Sequence, residues 1–310
     1  MQLSRPPIPF IILQLPLKYH ASRSMSVNQT ERTSSASYCI ALVKKYDYEN
    51  FLCTLLLPEK LRPAVFAVRA FNVEIANVLG QTNESHIAQM RLKFWEDALE
   101  RIFQDSAPQQ PVALELAKAV KLGVSKRHLK RLITSRVENL KLSVFNSLSS
   151  MEDYAESTVS PIYYATLETH GIKNVHADHA ASHLGKAQGI TNLVRGLPYN
   201  IRKGRILLPQ DTLIKFKLSQ ETIFRGGSCK PLQDSIFEVA SRAKQHLDKA
   251  RNLSNNVPKE AFPIFLPSFT IESILEKLRL VDFDVYSPKF QSKDGLLPVR
   301  LWWKNFLRKY

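Results

Sequence analysis

The chain has 310 residues, 44% of them hydrophobic and 23% charged, which is enough for one large core. Its 43 basic residues against 28 acidic ones leave a formal charge of +15, a balance that suits an anionic lipid, nucleic acid or acidic protein partner. No run reaches the roughly 18 apolar residues needed to span a bilayer. No RNP1, C₂H₂ or homeodomain pattern is present either, so nucleic acid is not an expected partner.

Residues 1–37 have the composition of a targeting segment, with a disordered tail as the alternative. No acid precedes Glu31, Arg5, Lys18, Arg23 and Arg32 are basic, and Ser is frequent near the end. Pro9 and Pro16 interrupt the apolar stretch from Ile8 to Leu17, which makes it neither a secretory core nor a membrane span. Residues 38–310 read as one all-α domain. Ser35 or Ser37 is placed to cap a first helix from Tyr38 to about Lys45. A second, from Tyr48 to Leu57, stops at Pro58. A long helix over 59–79 carries the stripe Phe66, Val68, Phe71, Ile75 and Val78. Asn83 or Ser85 caps the next, to about Phe103, in which Trp95 is a core residue. A Pro/Gln-rich loop leads to a helix over 111–121.

A basic helix over 126–144 carries Lys126, Arg127, His128, Lys130, Arg131 and Arg136, read as a solvated face. Residues 151–170 are helical with a kink expected at Pro161. His179 and His183 are i,i+4 neighbours with His176 one turn back, which is metal-ligand spacing. No Glu or Cys partner stands beside them. The expectation is therefore no metal site, with these two as the only candidates and packing beside a cavity as their role. From Leu184 the chain runs LGKAQGITNLVRGLPYNIRKGRILLP. On a 3.6-residue period Gly185, Gly189, Asn192 and Gly196 share a face almost bare of side chain. Three helical glycines cost roughly 1 kcal/mol each against Ala, so close helix packing is expected to offset them. Pro198 makes a helical Asn200 doubtful.

Residues 210–231 read as irregular, with a break at Gly226-Gly227. Residues 232–253 and 269–280 are helical, and Asp282 with Asp284 reads as turn chemistry. The end, from Leu296 to Tyr310, is a basic amphipathic helix with Trp302, Trp303, Phe306 and Leu307. It suits a membrane interface or a cap on the core equally. Cys39, Cys53 and Cys229 are odd in number and never spaced as CxxC. They read as reduced thiols of an intracellular compartment.

Leu184, Gly185, Ala187, Thr191, Asn192 and Arg195, followed by Gly204, Arg205, Leu208 and Pro209, resemble the squalene/phytoene synthase family. Its members carry LGxAxQxTNxxRDxxxD and then GRxYLP. Where the family has two aspartates this chain has Gly196 and Asn200, and where it usually has Gln stands Gly189. The family's other motif, AFCRxxDDxxD, aligns on Ala70 and Phe71. Its acids then fall on Ala76, Asn77 and Gly80, leaving Glu74 as the only acid on that turn. The acids hold magnesium, which neutralises a departing diphosphate. Gly has no ligand atom and Asn offers a neutral amide oxygen.

The resemblance implies an all-α, isoprenoid-synthase-like helical bundle around a central cavity. Tyr154, Ala155, Ser157 and Ser160 are compatible with the tyrosine and small residues that admit the substrate chain in the family. Both magnesium-binding halves are missing, so a non-catalytic protein with no cofactor is expected. Glu74, Asn192, Arg195 and Arg205 are the candidate cavity or rim contacts, and an isoprenoid, lipid or protein segment is the candidate ligand. RAFNVEIA, RLKFWEDALERIF, HADHAASHLGKAQGI and VDFDVY resemble the family's non-catalytic branch more than any synthase. That branch implies a matrix-facing, peripheral protein of the inner mitochondrial membrane, with complex I subunits or assembly intermediates as partners. The rival expectation is an active prenyltransferase whose metal site is rebuilt from Glu74, His179, His183 or the Asp282/Asp284 pair.

Overall fold

A computed structural model describes residues 34–81, 84–307 and 310. Its helices, in order, are α1 (Ser35–Tyr46), α2 (Tyr48–Leu55), α3 (Arg62–Gln81), α4 (Ser85–Phe103), α5 (Pro111–Lys121), α6 (Lys126–Glu138), α7 (Leu148–Thr158) and α8 (Ser160–Thr169). There follow α9 (Val175–Arg195), α10 (Leu197–Arg202), α11 (Gln210–Lys215), α12 (Gln220–Arg225), α13 (Lys230–Asn252), α14 (Pro267–Leu280), α15 (Pro288–Gln291) and α16 (Leu297–Phe306). Among the described residues the only non-helical pairing is an isolated bridge between Phe145 and Pro209. The all-α expectation holds.

Two cores meet along α8. One is built by α3 with α1, α4, α5 and α6, and the edge of Trp95 meets the Phe71 ring with centroids 5.3 Å apart. The other wraps α9 with α7, α13 and α14. Successive faces of α8 serve the two: Ile162 and Ala165 enter the first, Tyr163 and Leu167 the second. Burying Ile162 and Leu167 contributes about 1.5–3 kcal/mol each, so the seam is held from both sides.

The bare face of α9 is used for close approach. A Cβ on Gly185 would lie 2.1 Å from Ser160 Oγ and 2.7 Å from its Cα. One on Gly189 would lie 2.5 Å from the Ala155 Cβ. Ala155 and Ser160, compatible in the sequence with a substrate passage, are instead the seat on which α9 rests.

Several boundaries differ from expectation. Ser34 caps α1, its Oγ accepting from Ser37 N–H at 3.1 Å, so Ser35–Ser37 are helical. The rest of the expected targeting segment, 1–33, lies outside the described residues, as does Asn83. Helix α6 ends at Glu138, because Asn139 Nδ2 donates to the Ser135 carbonyl at 2.7 Å and turns the chain. The kink expected at Pro161 is a full break at Val159, with Pro161 in the first turn of α8, where its missing N–H costs nothing. Pro198 likewise opens α10 and keeps Asn200 helical. The 210–231 stretch holds two short helices, α11 and α12. Ser219 caps the second by accepting from Thr222 N–H at 3.1 Å.

Candidate functional site

At the seam between the cores lies a cavity of about 220 Å³. Helix α3 lines it with Arg69, Asn72, Ala76 and Asn77, and α9 with Gln188, Asn192 and Arg195. Asp47, at the break between α1 and α2, and Glu49 and Asn50, in the first turn of α2, line it too, and α14 closes it with Thr270, Ile271 and Ile274. The two segments that resemble the family's metal-binding helices therefore face one space.

The cavity has two carboxylates, and an arginine stands against each. Arg195 Nη1 donates to Glu49 Oε1 at 2.7 Å. Burial pushes the Glu49 carboxyl up, but the charge and hydrogen bond of Arg195 outweigh it and hold the group below the usual range. Arg69 Nη1 lies 3.5 Å from Asp47 Oδ2, and Arg69 is only 5% exposed. Burial raises the Asp47 carboxyl above its ordinary value, with Arg69 and Asn50 pulling the other way.

A buried chain of hydrogen bonds extends from this pair. Asn50 Nδ2 donates to Asp47 Oδ1 at 2.7 Å, and Gln188 Nε2 to Asn50 Oδ1 at 3.3 Å. Tyr163 O–H donates to Gln188 Oε1 at 2.7 Å, and burial drives its hydroxyl up, which keeps it a donor. Behind the opposite wall, Arg136 Nη2 donates to Asn72 Oδ1 at 2.7 Å. Arg136 and His128, expected on a solvated face, are both turned inward. His128 meets Glu168 at 3.3 Å and packs on Tyr164.

Magnesium wants near-octahedral oxygen ligation from carboxylates and phosphates. Here both carboxylates are committed to guanidinium groups, and the remaining oxygens are amides and hydroxyls. Among the described residues no three His, Cys, Asp or Glu side chains converge to hold a metal ion. The donor set does not fit the magnesium–diphosphate cluster of the family.

Of the four residues singled out in the sequence, Asn192 and Arg195 line the cavity. Glu74 does not: it points to the α1 side of α3 and accepts from Tyr38 O–H at 3.2 Å. Arg205 is also elsewhere, its Nε donating to the Leu142 carbonyl at 2.9 Å beside the Phe145–Pro209 bridge. His179 is exposed, whereas His183 turns in, its Nδ1 3.0 Å from His246 Nδ1. His246 Nε2 in turn lies 3.2 Å from Glu152 Oε1. Asp284 accepts from Tyr286 N–H at 2.9 Å, a turn, and Asp282 sits at φ 49° beside Lys230. Among the described residues, Glu74, His179, His183 and the Asp282/Asp284 pair build no common metal site. No metal-ligand motif in the sequence marks Asp47, Glu49, Asn50 or Arg69. The only local signal was two carboxylates, Asp47 and Glu49, at a helix break.

A family model described as squalene/phytoene synthase matches residues 43–303. Proteins of Rattus norvegicus and Homo sapiens named "NADH dehydrogenase (ubiquinone) complex I, assembly factor 6" are each 44% identical over 274 residues, spanning 88% of this chain and 82% of theirs. The crystal structure of the squalene synthase HpnC from Alicyclobacillus acidocaldarius superposes with a TM-score of 0.71 at 20% identity, covering 81% of this chain and 95% of that one, a likeness of fold. The chain belongs to the squalene/phytoene synthase family and resembles, within it, the relatives that carry the complex I assembly factor 6 name.

Proposed function

We propose that this chain is an assembly factor for mitochondrial respiratory complex I that keeps the synthase scaffold without the synthase reaction. The observation that carries the second half is the pairing of Asp47 with Arg69 and of Glu49 with Arg195 across the cavity. Ionising an allylic diphosphate needs several carboxylates free to share metal ions. Here the cavity's own charges cancel, and Ala76, Asn77, Gly80, Gly196 and Asn200 stand where the family has acids. The identity to relatives named for complex I assembly supports the first half.

On this reading the partners are complex I subunits or assembly intermediates, met at the matrix face of the inner mitochondrial membrane. The contact with the bilayer on this reading is peripheral; among the described residues no helix is long and apolar enough to cross a membrane. The cavity is smaller than the roughly 300–1,000 Å³ of common small-molecule pockets. An isoprenoid or lipid would enter by one segment only.

Two measurements test the proposal. Removing the protein from cells should lower assembled complex I and leave the other respiratory complexes unchanged. Incubating it with farnesyl diphosphate and Mg²⁺ should release no pyrophosphate above background. Normal complex I levels would overturn the assembly role, and steady release would restore the prenyltransferase reading.

A further inference from the structure

Helix α16 is anchored by Leu297 and Leu301, which are buried with Cys53 and Leu266. Its other face is left uncovered by the described residues. Val299, Trp302, Trp303 and Phe306 are spaced i, i+3, i+4 and i+7, opposite the two anchoring leucines. They are 64%, 55%, 52% and 67% exposed. The Phe306 ring stacks on both tryptophans with centroids 5.9 Å apart, so the aromatics form one plate pointing away from the bundle. A cap on the core, one of the two roles open from the sequence, is thereby excluded for Trp302 and Trp303.

The charge of this part of the sequence says what fits on the plate. From Gln291 to Tyr310 the chain carries Lys293, Arg300, Lys304, Arg308 and Lys309 against one acid, Asp294. Lys293 and Arg300 are exposed, Arg300 pairs with Asp294, and the Lys304 ammonium stands over the Phe269 ring, 4.9 Å from its centroid. A second copy laid on this face would bring two basic rims together within a chain of net charge +15. An anionic phospholipid surface meets both features. Trp and Phe rings settle at the headgroup level, and the surrounding cations are drawn by the lipid phosphates.

We infer that the outward face of α16 docks the protein on an anionic bilayer. The inference rests on the reading of a peripheral membrane protein and names the surface that makes the contact.

The test uses the purified full chain with vesicles of phosphatidylcholine alone or mixed with phosphatidylglycerol. The mixed vesicles should carry the protein up in flotation and shift tryptophan emission to the blue. The triple variant Trp302→Ser/Trp303→Ser/Phe306→Ser should partition about tenfold less or weaker, having lost three large apolar groups from the interface. Trp95, buried and retained, reports that the variant is folded. Absence of binding, equal binding by the variant, or a wild-type dimer that the variant abolishes would each overturn the inference. Complex I is not part of this assay. Its rescue by wild-type protein in depleted cells is read separately, so failure of the docking face and failure of the assembly role are distinct results.

Discussion

Arg195 and Glu49 are 146 positions apart in the chain and 2.7 Å apart across the cavity. The pair ties the C-terminal end of α9 to the start of α2 and closes one end of the site. Arg195→Ala should cost about 0.5–1 kcal/mol, the range for a partly exposed pair. It should also change the acid limb of stability. The Glu49 carboxyl is held below its unfolded value of 4.5, so the pair contributes fully above that pH and fades as pH falls through the lower folded value. In the variant that contribution is gone at every pH. Thermal melts of both proteins across the acid range check it, and parallel curves down to the lowest pH would count against the pairing.

Asp47 and Arg69 are the more buried pair. Removing either partner leaves the other uncompensated in the core, so Asp47→Asn and Arg69→Met should each cost about 3 kcal/mol. The double variant should recover much of that, because no lone charge remains. A double-mutant cycle in urea measures the coupling, and simple additivity of the two losses would mean the charges are satisfied independently.

These four charges were the least legible part of the sequence, although the helices that present them were read well. The stripe of α3 and the glycine pattern of α9 follow from local periodicity, which survives in any single chain. Asp47 lies in the one-residue connection before α2 and Glu49 in its first turn, and their partners are fixed only when two distant helices cross. Glu74 sits in the family-like motif, but the helical turn that holds it aims it at Tyr38 instead. Arg136 shows the converse: a run of cations looked solvated, yet one of them faces the core and holds Asn72. The short helices α10 to α12 were hidden by Pro198 and by a glycine pair, punctuation that marks a boundary without saying what resumes after it.

Gly189 offers a test of the packing of α9 on α7. Gly189→Ala forces a methyl to 2.5 Å from the Ala155 Cβ and 2.8 Å from its Cα. Overpacking of this kind costs about 1–3 kcal/mol. Adding Ala155→Gly should return part of the loss, since one of the two clashing atoms is removed while the backbone contact stays. Chemical unfolding of the single and double variants reads the effect; a Gly189→Ala protein as stable as wild type would show that the two helices have room to part.

The His183–His246 contact gives the protein a pH-sensitive joint between α9 and α13. Burial, then the neighbouring His246, depress the His183 imidazole from 6.5 to about 4, and burial lowers His246 as well. A hydrogen bond between two Nδ1 atoms needs one ring to donate and the other to accept, so protonating both breaks it. Because the folded values lie below the unfolded ones, the unfolded chain binds more protons. Stability is complete above about pH 6.5 and declines as pH falls toward 4. His183→Gln should flatten that decline, seen as melting temperatures that change less than wild type between those pH values.

Magnesium with inorganic pyrophosphate tests the cavity's donor set directly. A ligand that binds the folded state raises its stability by RT ln(1 + [L]/Kd), about 2.7 kcal/mol at a hundredfold excess over Kd. A synthase-like metal cluster would therefore respond with a clear rise in melting temperature. With Asp47 and Glu49 each held by an arginine, the cluster would first have to break two ion pairs and strand Arg69, which is 5% exposed. The melting temperature should accordingly not move when both are added at millimolar levels. Paired carboxylates are the component that is missing, so Asn77→Asp with Asn192→Asp should introduce a magnesium-dependent shift that wild type lacks. A wild-type shift that needs both magnesium and pyrophosphate would mean the arginines yield to the metal.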